Sequence, residues 1–438
     1  MMISDQLKRL AVQGYKSLRD RIEVDFGSLT VLAGANGSGK SSFMQPLLLL
    51  KQTFEAPYDP GGLLLSGPNV SFTSAREVLW KDAEEFVIRM ETAEGYLGEC
   101  AFRPSQEKLS LLTVECRWSY GKTEARLYPG MDQKEVAKAA EKLILEIDGE
   151  GTIVSNASLI RYRAFLAIGP EIIWEPRYGG IVAINEETWT RPTPWMWFAK
   201  IVQSLIHVPA LRGNPQRTYR YAAPSGSFPG LFTDYVAGVI AQWQEERTGE
   251  MEGLWGDLRN LGLTWKVETQ RVSATDVEVR VGRLPRSRRG GARDMVNIAD
   301  VGFGVSQVLP VVVALRAAQR GQMVYIEQPE IHLHPNAQVR LADLLVQAAK
   351  RGVQVVVETH SELILLGIQT SVARGELSPD AVKLHWFERD EEGVTHITTA
   401  ELDEDGAFGN WPVDFSQVAL ETMRTYLDTV TLRRSPQR

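Results

Sequence analysis

An α/β fold, a parallel sheet split by a long antiparallel-β and helical insertion, is predicted by three observations. Three short apolar runs, Leu29–Leu32, Met323–Ile326 and Val353–Val357, read as strands buried on both faces. The first leads into Gly34-Ala35-Asn36-Gly37-Ser38-Gly39-Lys40-Ser41 and then an apolar helical stretch through Leu50. The second and third enclose Asn336–Arg351, where Val339, Leu341, Leu344, Leu345 and Ala348 recur at helical spacing and Gly352 stands where a helix would end. Strand, helix and strand over about thirty residues make a βαβ unit.

Between these halves the pattern changes. Phe86 to Leu127 alternates as short antiparallel strands do, Lys134–Leu145 reads as a helix, and Phe228–Leu261 is helix-rich, with Trp243 and Trp255 among apolar positions. Val267–Val281 alternates again, and Arg283–Gly291 is an arginine- and glycine-rich loop. The expected division is residues 1–95 for the N-terminal half, 96–285 for the insertion and 286–438 for the C-terminal half. A chain of 438 residues with 44% hydrophobic and 24% charged residues is globular rather than disordered. A net charge of −7 excludes one broad basic nucleic-acid surface but leaves room for a local one. Cys100 and Cys116 are too few for a disulfide framework or a zinc site. The start lacks a signal-peptide core, and no apolar run of 18 residues follows, so a cytoplasmic protein with no membrane span is expected.

The run Gly34–Ser41 fits G-x-x-x-x-G-K-[ST] between a strand and a helix, the context this phosphate loop needs. Glycines let successive backbone N–H groups turn toward phosphate oxygens, and the helix N-terminus adds a favourable dipole. The expected ATP contacts are Gly34, Asn36, Gly37, Ser38, Gly39, Lys40, Ser41 and Ser42, with Lys40 on the β- and γ-phosphates and the Ser41 hydroxyl on Mg2+. Glu327 ends the second apolar strand; an acid there needs a partner or a metal, so Mg2+ is expected between Ser41 and Glu327. His360, after the third strand, is placed to face the γ-phosphate or its attacking water, and Ser361 to cap the next helix. His332 and His334 alternate with apolar residues, which fits a structured turn beside the nucleotide better than a metal site short of ligands.

Lys40-Ser41-Ser42, the phrase Asp300-Val301-Gly302-Phe303-Gly304-Val305-Ser306-Gln307, the run Glu327–Pro335 and Glu358-Thr359-His360-Ser361 occur in that order. Together they resemble the ABC-class ATPase heads related to SMC proteins and to overcoming-lysogenisation-defect (OLD) ATPases. The stand-alone bacterial branch of AAA-family ATPases looks nearest; Leu211-Arg212-Gly213-Asn214-Pro215 and Gly406–Pro412 recur there. The resemblance implies a P-loop ABC-type ATPase head that hydrolyses ATP. It implies that Gly304, Ser306 and Gln307 form a signature capping the nucleotide of a second subunit, hence a homodimer or higher oligomer. It also implies a separate effector, a nuclease or toxin, as in anti-phage systems.

One position departs from that pattern. Where these families carry a water-activating glutamate, this chain has Gln328, which can position water but cannot take its proton. Either Glu330 substitutes as base, or hydrolysis is slow and ATP mainly holds an assembled state; the second is favoured. Arg283, Arg286, Arg288, Arg289 and Arg293 form a basic loop that suits nucleic-acid phosphate, an acidic partner or plain solvation. Arg212, Arg217 and Arg220 read equally as a basic patch or as ion-pairing residues. Trp189, Trp195 and Trp197 read as core before partner surface, and Glu401–Asp405 as a turn rather than a two-metal nuclease centre.

Overall fold

All six residues of Leu29–Gly34 and all six of Gln354–Thr359 are buried. Strands covered on both faces need neighbours at both edges and packed layers above and below. The computed structural model describes residues 6–106, 110–139, 157–162, 165–170, 173–175, 180–182, 194–222, 226–284, 294–409 and 424–427.

In chain order, β1 (Leu7–Gln13), β2 (Ile22–Asp25) and β3 (Leu29–Gly34) precede α1 (Lys40–Glu55). Four strands come next: β4 (Phe86–Thr92), β5 (Leu97–Pro104), β6 (Leu111–Tyr120) and β7 (Thr123–Leu127). Helix α2 (Pro194–Ser204) leads to β8 (Ile206–Val208); α3 (Val236–Glu246) and α4 (Glu250–Asn260) lead to β9 (Val267–Arg271) and β10 (Asp276–Gly282). The C-terminal half runs α5 (Phe303–Ala317), β11 (Met323–Glu327), α6 (Pro335–Lys350), β12 (Gln354–Thr359), α7 (Glu362–Ala373), β13 (Val382–Arg389) and β14 (Thr395–Ala400).

The central sheet has the order β8-β11-β12-β3-β13-β14, parallel throughout except for β14, which returns antiparallel to β13. Its register aligns the strand ends: Glu327 stands opposite Glu358, and Thr359 opposite Ala33. Side chains alternate between faces as the pleat requires. Leu32, Met323, Tyr325, Val356 and Phe387 pack with α1 and the N-terminal strands, whereas Val31, Val324, Ile326, Val355 and Val357 pack with α5, α6 and α7. The molecule is a mixed α/β structure, as the apolar runs predict.

A second six-stranded sheet is antiparallel, in the order β2-β1-β4-β5-β6-β7. It begins at Leu7, so the expected boundary at residue 95 falls inside it, between β4 and β5. The expected boundary at 285 has a counterpart problem, because β8 lies within 96–285 yet forms the edge of the central sheet beside β11. A three-residue strand carries no readable period, and Leu7–Gln13 is too short to announce its partner. The remaining expectations for this stretch fare differently. The helices at 236–260 and the hairpin β9–β10 follow the reading; of Lys134–Leu145, only the part through 139 lies among the described residues.

Local chemistry explains the helix ends near the site. His334 caps α6, its Nδ1 accepting from Asn336 N, with Pro335 as the first helical residue. Gly352, at φ 86°, comes after the last turn. Ser361 caps α7 by accepting from Ile364 N at 3.2 Å, as the sequence predicts. Helix α5 starts at Phe303. Ser306 therefore lies in its first turn, donating to Phe303 O at 3.1 Å, and Pro310 sits in the interior.

His385 on β13 is 1% exposed; its Nε2–H donates to Asp25 O at 2.9 Å, and its Nδ1 faces Thr399 Oγ1 at 3.0 Å. Burial lowers its pKa to about 4. The unfolded chain, titrating near the ordinary value of about 6.5, therefore binds more protons than the fold between pH 6.5 and 4. Stability is expected to be lost as pH falls through that window, by up to about 3 kcal/mol from this residue. Thermal melts of wild type and His385→Gln across pH 7 to 4 check this: the variant is expected to show the shallower decline.

Candidate nucleotide site

The loop after β3 can turn only because glycine stands where φ is positive: Gly34 at 141°, Gly37 at 72° and Gly39 at 107°. At Gly34 a Cβ would sit 2.2 Å from Phe387 O, and at Gly39 2.4 Å from Thr395 Oγ1, so closeness as well as conformation demands glycine. Lys40 folds back into the loop and donates from Nζ to Gly34 O (3.0 Å) and Ala35 O (2.8 Å). The loop is braced from outside. The Thr395 hydroxyl donates to Ser38 O at 2.8 Å and lies 2.8 Å from Ser17 Oγ, and its own backbone N–H donates to Ser17 O.

The cleft over this loop has a volume of about 420 Å³ and is bordered by Asn36–Ser42, Gln328, Glu358 and His360. Lys16, Ser17 and Arg389 close its other side. The phosphate loop, the residue after the acidic strand and the histidine thus converge on one cleft across a sheet edge. Gln328 holds φ 42°, with its backbone N–H donating to Glu358 O at 2.7 Å. Its amide nitrogen lies 3.2 Å from His360 Nε2. Burial, reinforced by the Lys40 charge, lowers the pKa of His360, which favours neutral imidazole.

The acids are arranged differently from the sequence expectation. The Ser41 hydroxyl meets Glu358, at 2.9 Å from each carboxylate oxygen, and Tyr325 donates to Glu358 Oε2 at 3.0 Å. Glu327 is held on the far side of the strand end: Oε1 lies 3.1 Å from His207 Nε2, and Oε2 accepts from Ala210 N at 3.1 Å. Burial raises the Glu358 pKa, and the nearby Glu327 charge adds to it. Burial also acts upward on Glu327, but the contacts with His207 and the Ala210 N–H outweigh it and leave Glu327 below its ordinary value. Burial raises Glu330, whose Oε1 accepts from His360 N at 2.7 Å. Glu330 does not border the cleft. Burial lowers Lys40, partly offset by Glu358 and Glu330.

Matches to known families become interpretable against this geometry. Residues 6–95 match a family model described as "AAA ATPase domain", and residues 267–366 match one described as "AAA domain, putative AbiEii toxin, Type IV TA system". Both descriptions name AAA-type ATPase domains. The matched stretches carry the phosphate loop and the acidic strand, the two parts that meet at the cleft. No curated protein matches the chain. Among solved structures, the SMC head bound to the C-winged helix domain of ScpA aligns at 13% identity over 91% of this chain and 98% of that one, with TM-score 0.45. The SMC head domain from Thermotoga maritima aligns at 12% over 90% and 98%, with TM-score 0.38. A Pyrococcus furiosus Smc head with an extended coiled coil, bound to the C-terminal domain of ScpA, aligns at 12% over 96% and 99%, with TM-score 0.40.

The donor set of this cleft fits a phosphate-bound divalent cation: a hydroxyl and a carboxylate in direct contact, an ammonium for the phosphates, and a second carboxylate behind. Gly304, Ser306 and Gln307 lie apart from the cleft, at the start of α5, where Gln307 donates to Gly213 O at 2.7 Å. His332, at φ 68°, stacks on Phe303, and His334 is the cap of α6, so both serve the turn. Trp197 is 7% exposed against Tyr96, a core position; Trp189 and the Trp195 side chain lie outside the described residues. Arg217 pairs with Asp300 at 2.8 Å, whereas Arg286, Arg288, Arg289 and Arg293 lie outside the described residues. Glu401–Asp405 lies in a turn, with Leu402 bridged to Phe408.

Sequence reasoning missed Lys16, Ser17, Arg389 and the role of Glu358. Lys16 and Ser17 come from the connection between β1 and β2 and Arg389 from the end of β13, none of them in a motif; Glu358 was visible only as the acid after the apolar run Val353–Val357. Glu358→Gln is expected to weaken the Mg2+-dependent part of ATP binding by about 10- to 100-fold while leaving affinity in EDTA unchanged. Glu327→Gln should cost less. Calorimetric titration with ATP in Mg2+ and in EDTA separates them, and a larger loss for Glu327→Gln would return the metal's carboxylate to Glu327.

Proposed function

We propose that this chain binds ATP and Mg2+ in the cleft over Gly34–Ser41 and hydrolyses ATP slowly, its nucleotide state controlling assembly with a second head and a separate effector. One observation carries the reading: Gln328 and His360 share the wall of the cleft that holds Lys40 and Ser41, while Glu330 is turned toward the backbone of His360 behind it. When bound through Ser41 with Glu358 and Glu327 nearby, Mg2+ would draw charge from the β- and γ-phosphates.

The chain's own groups divide the rest of the work. The glycine loop and the N-terminus of α1 offer backbone N–H groups to the phosphates, and Lys40 exchanges its loop carbonyls for phosphate oxygens. Gln328 donates to and accepts from a water at the wall but cannot take its proton. Neutral His360 fixes the Gln328 amide and offers a second contact. Water is held without a strong base, which slows the chemical step and lengthens the life of the ATP state.

The start of α5, with Gly302, Gly304, Ser306 and half-exposed Phe303, does not border its own cleft and is available to a second copy. The toxin–antitoxin wording attached to the family match over 267–366 is in keeping with an effector that reads the ATP-bound assembly.

Steady-state turnover and native mass, measured on the same samples, test this. Wild type should turn over slowly and gain mass with ATP. Gln328→Glu should raise turnover by on the order of 10²-fold, Glu330→Gln should change it little, and Ser306→Arg should abolish the gain in mass. Fast wild-type turnover that collapses in Glu330→Gln would reassign the base, and a mass indifferent to ATP would remove the assembly.

A further inference from the structure

Arg212 lies just past β8 and reaches under the end of β11. One of its terminal nitrogens, Nη2, donates to Glu327 O at 2.6 Å and lies 3.4 Å from Gln328 O. Its Nε and Nη1 are fully buried and have no hydrogen-bond partner among the described residues; the same is true of Glu330 Oε2. Burial lowers the guanidinium to about 10, against the attraction of Glu330 and Glu327. A cation buried with unused donors is costly and calls for a reason.

The reason lies in what it holds. Gln328 carries a side chain yet sits at φ 42°, a left-handed conformation that L-residues avoid, and it precedes Pro329, which narrows its options further. Three contacts over-determine that conformation: the Gln328 N–H on Glu358 O, and Arg212 beneath the two successive carbonyls of Glu327 and Gln328. The arginine is itself anchored. Ala210 N–H donates to Glu327 Oε2, and Gln307 Nε2 donates to Gly213 O. Arg212 does not border the cleft, whereas Gln328 does. One planar terminal nitrogen of the guanidinium holds both adjacent carbonyls, in a plane that the buried remainder of the group fixes.

We propose that Arg212 is a positioning residue for hydrolysis, locking the Gln328 turn so that the Gln328 amide meets water at the cleft wall. The assignment rests on the proposed ATPase function and goes beyond it, because Arg212 acts through Gln328 and not on the nucleotide. Through Gly213 and Gln307 the same loop ties the start of α5 to the hydrolytic turn.

A double-mutant cycle on single-turnover hydrolysis of γ-labelled ATP, with ATP affinity measured in parallel, tests it. Arg212→Ala is expected to slow the chemical step by roughly tenfold or more with ATP affinity within about twofold, and Arg212→Lys to recover only part of the loss. In a Gln328→Gly background, where glycine adopts the turn unaided and no amide remains to be placed, Arg212→Ala should cost nothing further. Losses that multiply, or an ATP affinity that falls in step with the rate, would make Arg212 a general structural residue and overturn the assignment alone. A wild type that binds no ATP would overturn the ATPase function, and the assignment with it.

Discussion

In-register parallel pairing of β11, β12 and β3 is the constraint on which the site depends. Glu327 stands opposite Glu358, and Thr359 opposite Ala33, so three strand ends finish level. The segment after each strand is thereby delivered to one edge: the phosphate loop after β3, Gln328 after β11 and His360 after β12. A slip of one residue in β12 would turn Glu358 into the helical layer and take the hydrogen-bond acceptor away from Ser41. The near-total burial of these strands specifies the register, because a one-residue slip would exchange the two core faces.

The same edge concentrates charge. Glu327, Glu330 and Glu358 gather around Lys40 and Arg212 in surroundings largely shielded from water. Desolvation pushes Glu358 and Glu330 toward the protonated form and weakens both cations, while the contacts with His207 and Ala210 hold Glu327 below its ordinary value. A pair of neighbouring carboxylates with opposite tendencies is poised to exchange a proton for a divalent cation and phosphates. On the proposed function, the cluster is thus better suited to a filled site than to isolation.

Much of this was legible in the sequence. Gly34–Ser41 is readable because close approach and positive φ leave few alternatives to glycine, and the βαβ unit because its strands are buried on both faces. The histidine after β12 and the cap Ser361 also stand where the pattern places them. The partner of Ser41 was hidden, because 317 residues separate Ser41 from Glu358 and only the sheet register brings them together. The short edge strand Ile206–Val208 carried no period, so Arg212 could not be placed under the acidic turn. The expected boundaries at 95 and 285 do not coincide with the limits of either sheet, because the chain passes between its two sheets without a change in composition to mark the crossing.

Equilibrium binding of ATP to wild type and to Lys40→Ala, in the presence of Mg2+, bears most directly on the central claim that the Gly34–Ser41 cleft is the nucleotide site. Loss of the buried ammonium is expected to weaken ATP by at least about tenfold with the fold intact. Equal affinities for the two proteins would place the nucleotide elsewhere and contradict the account.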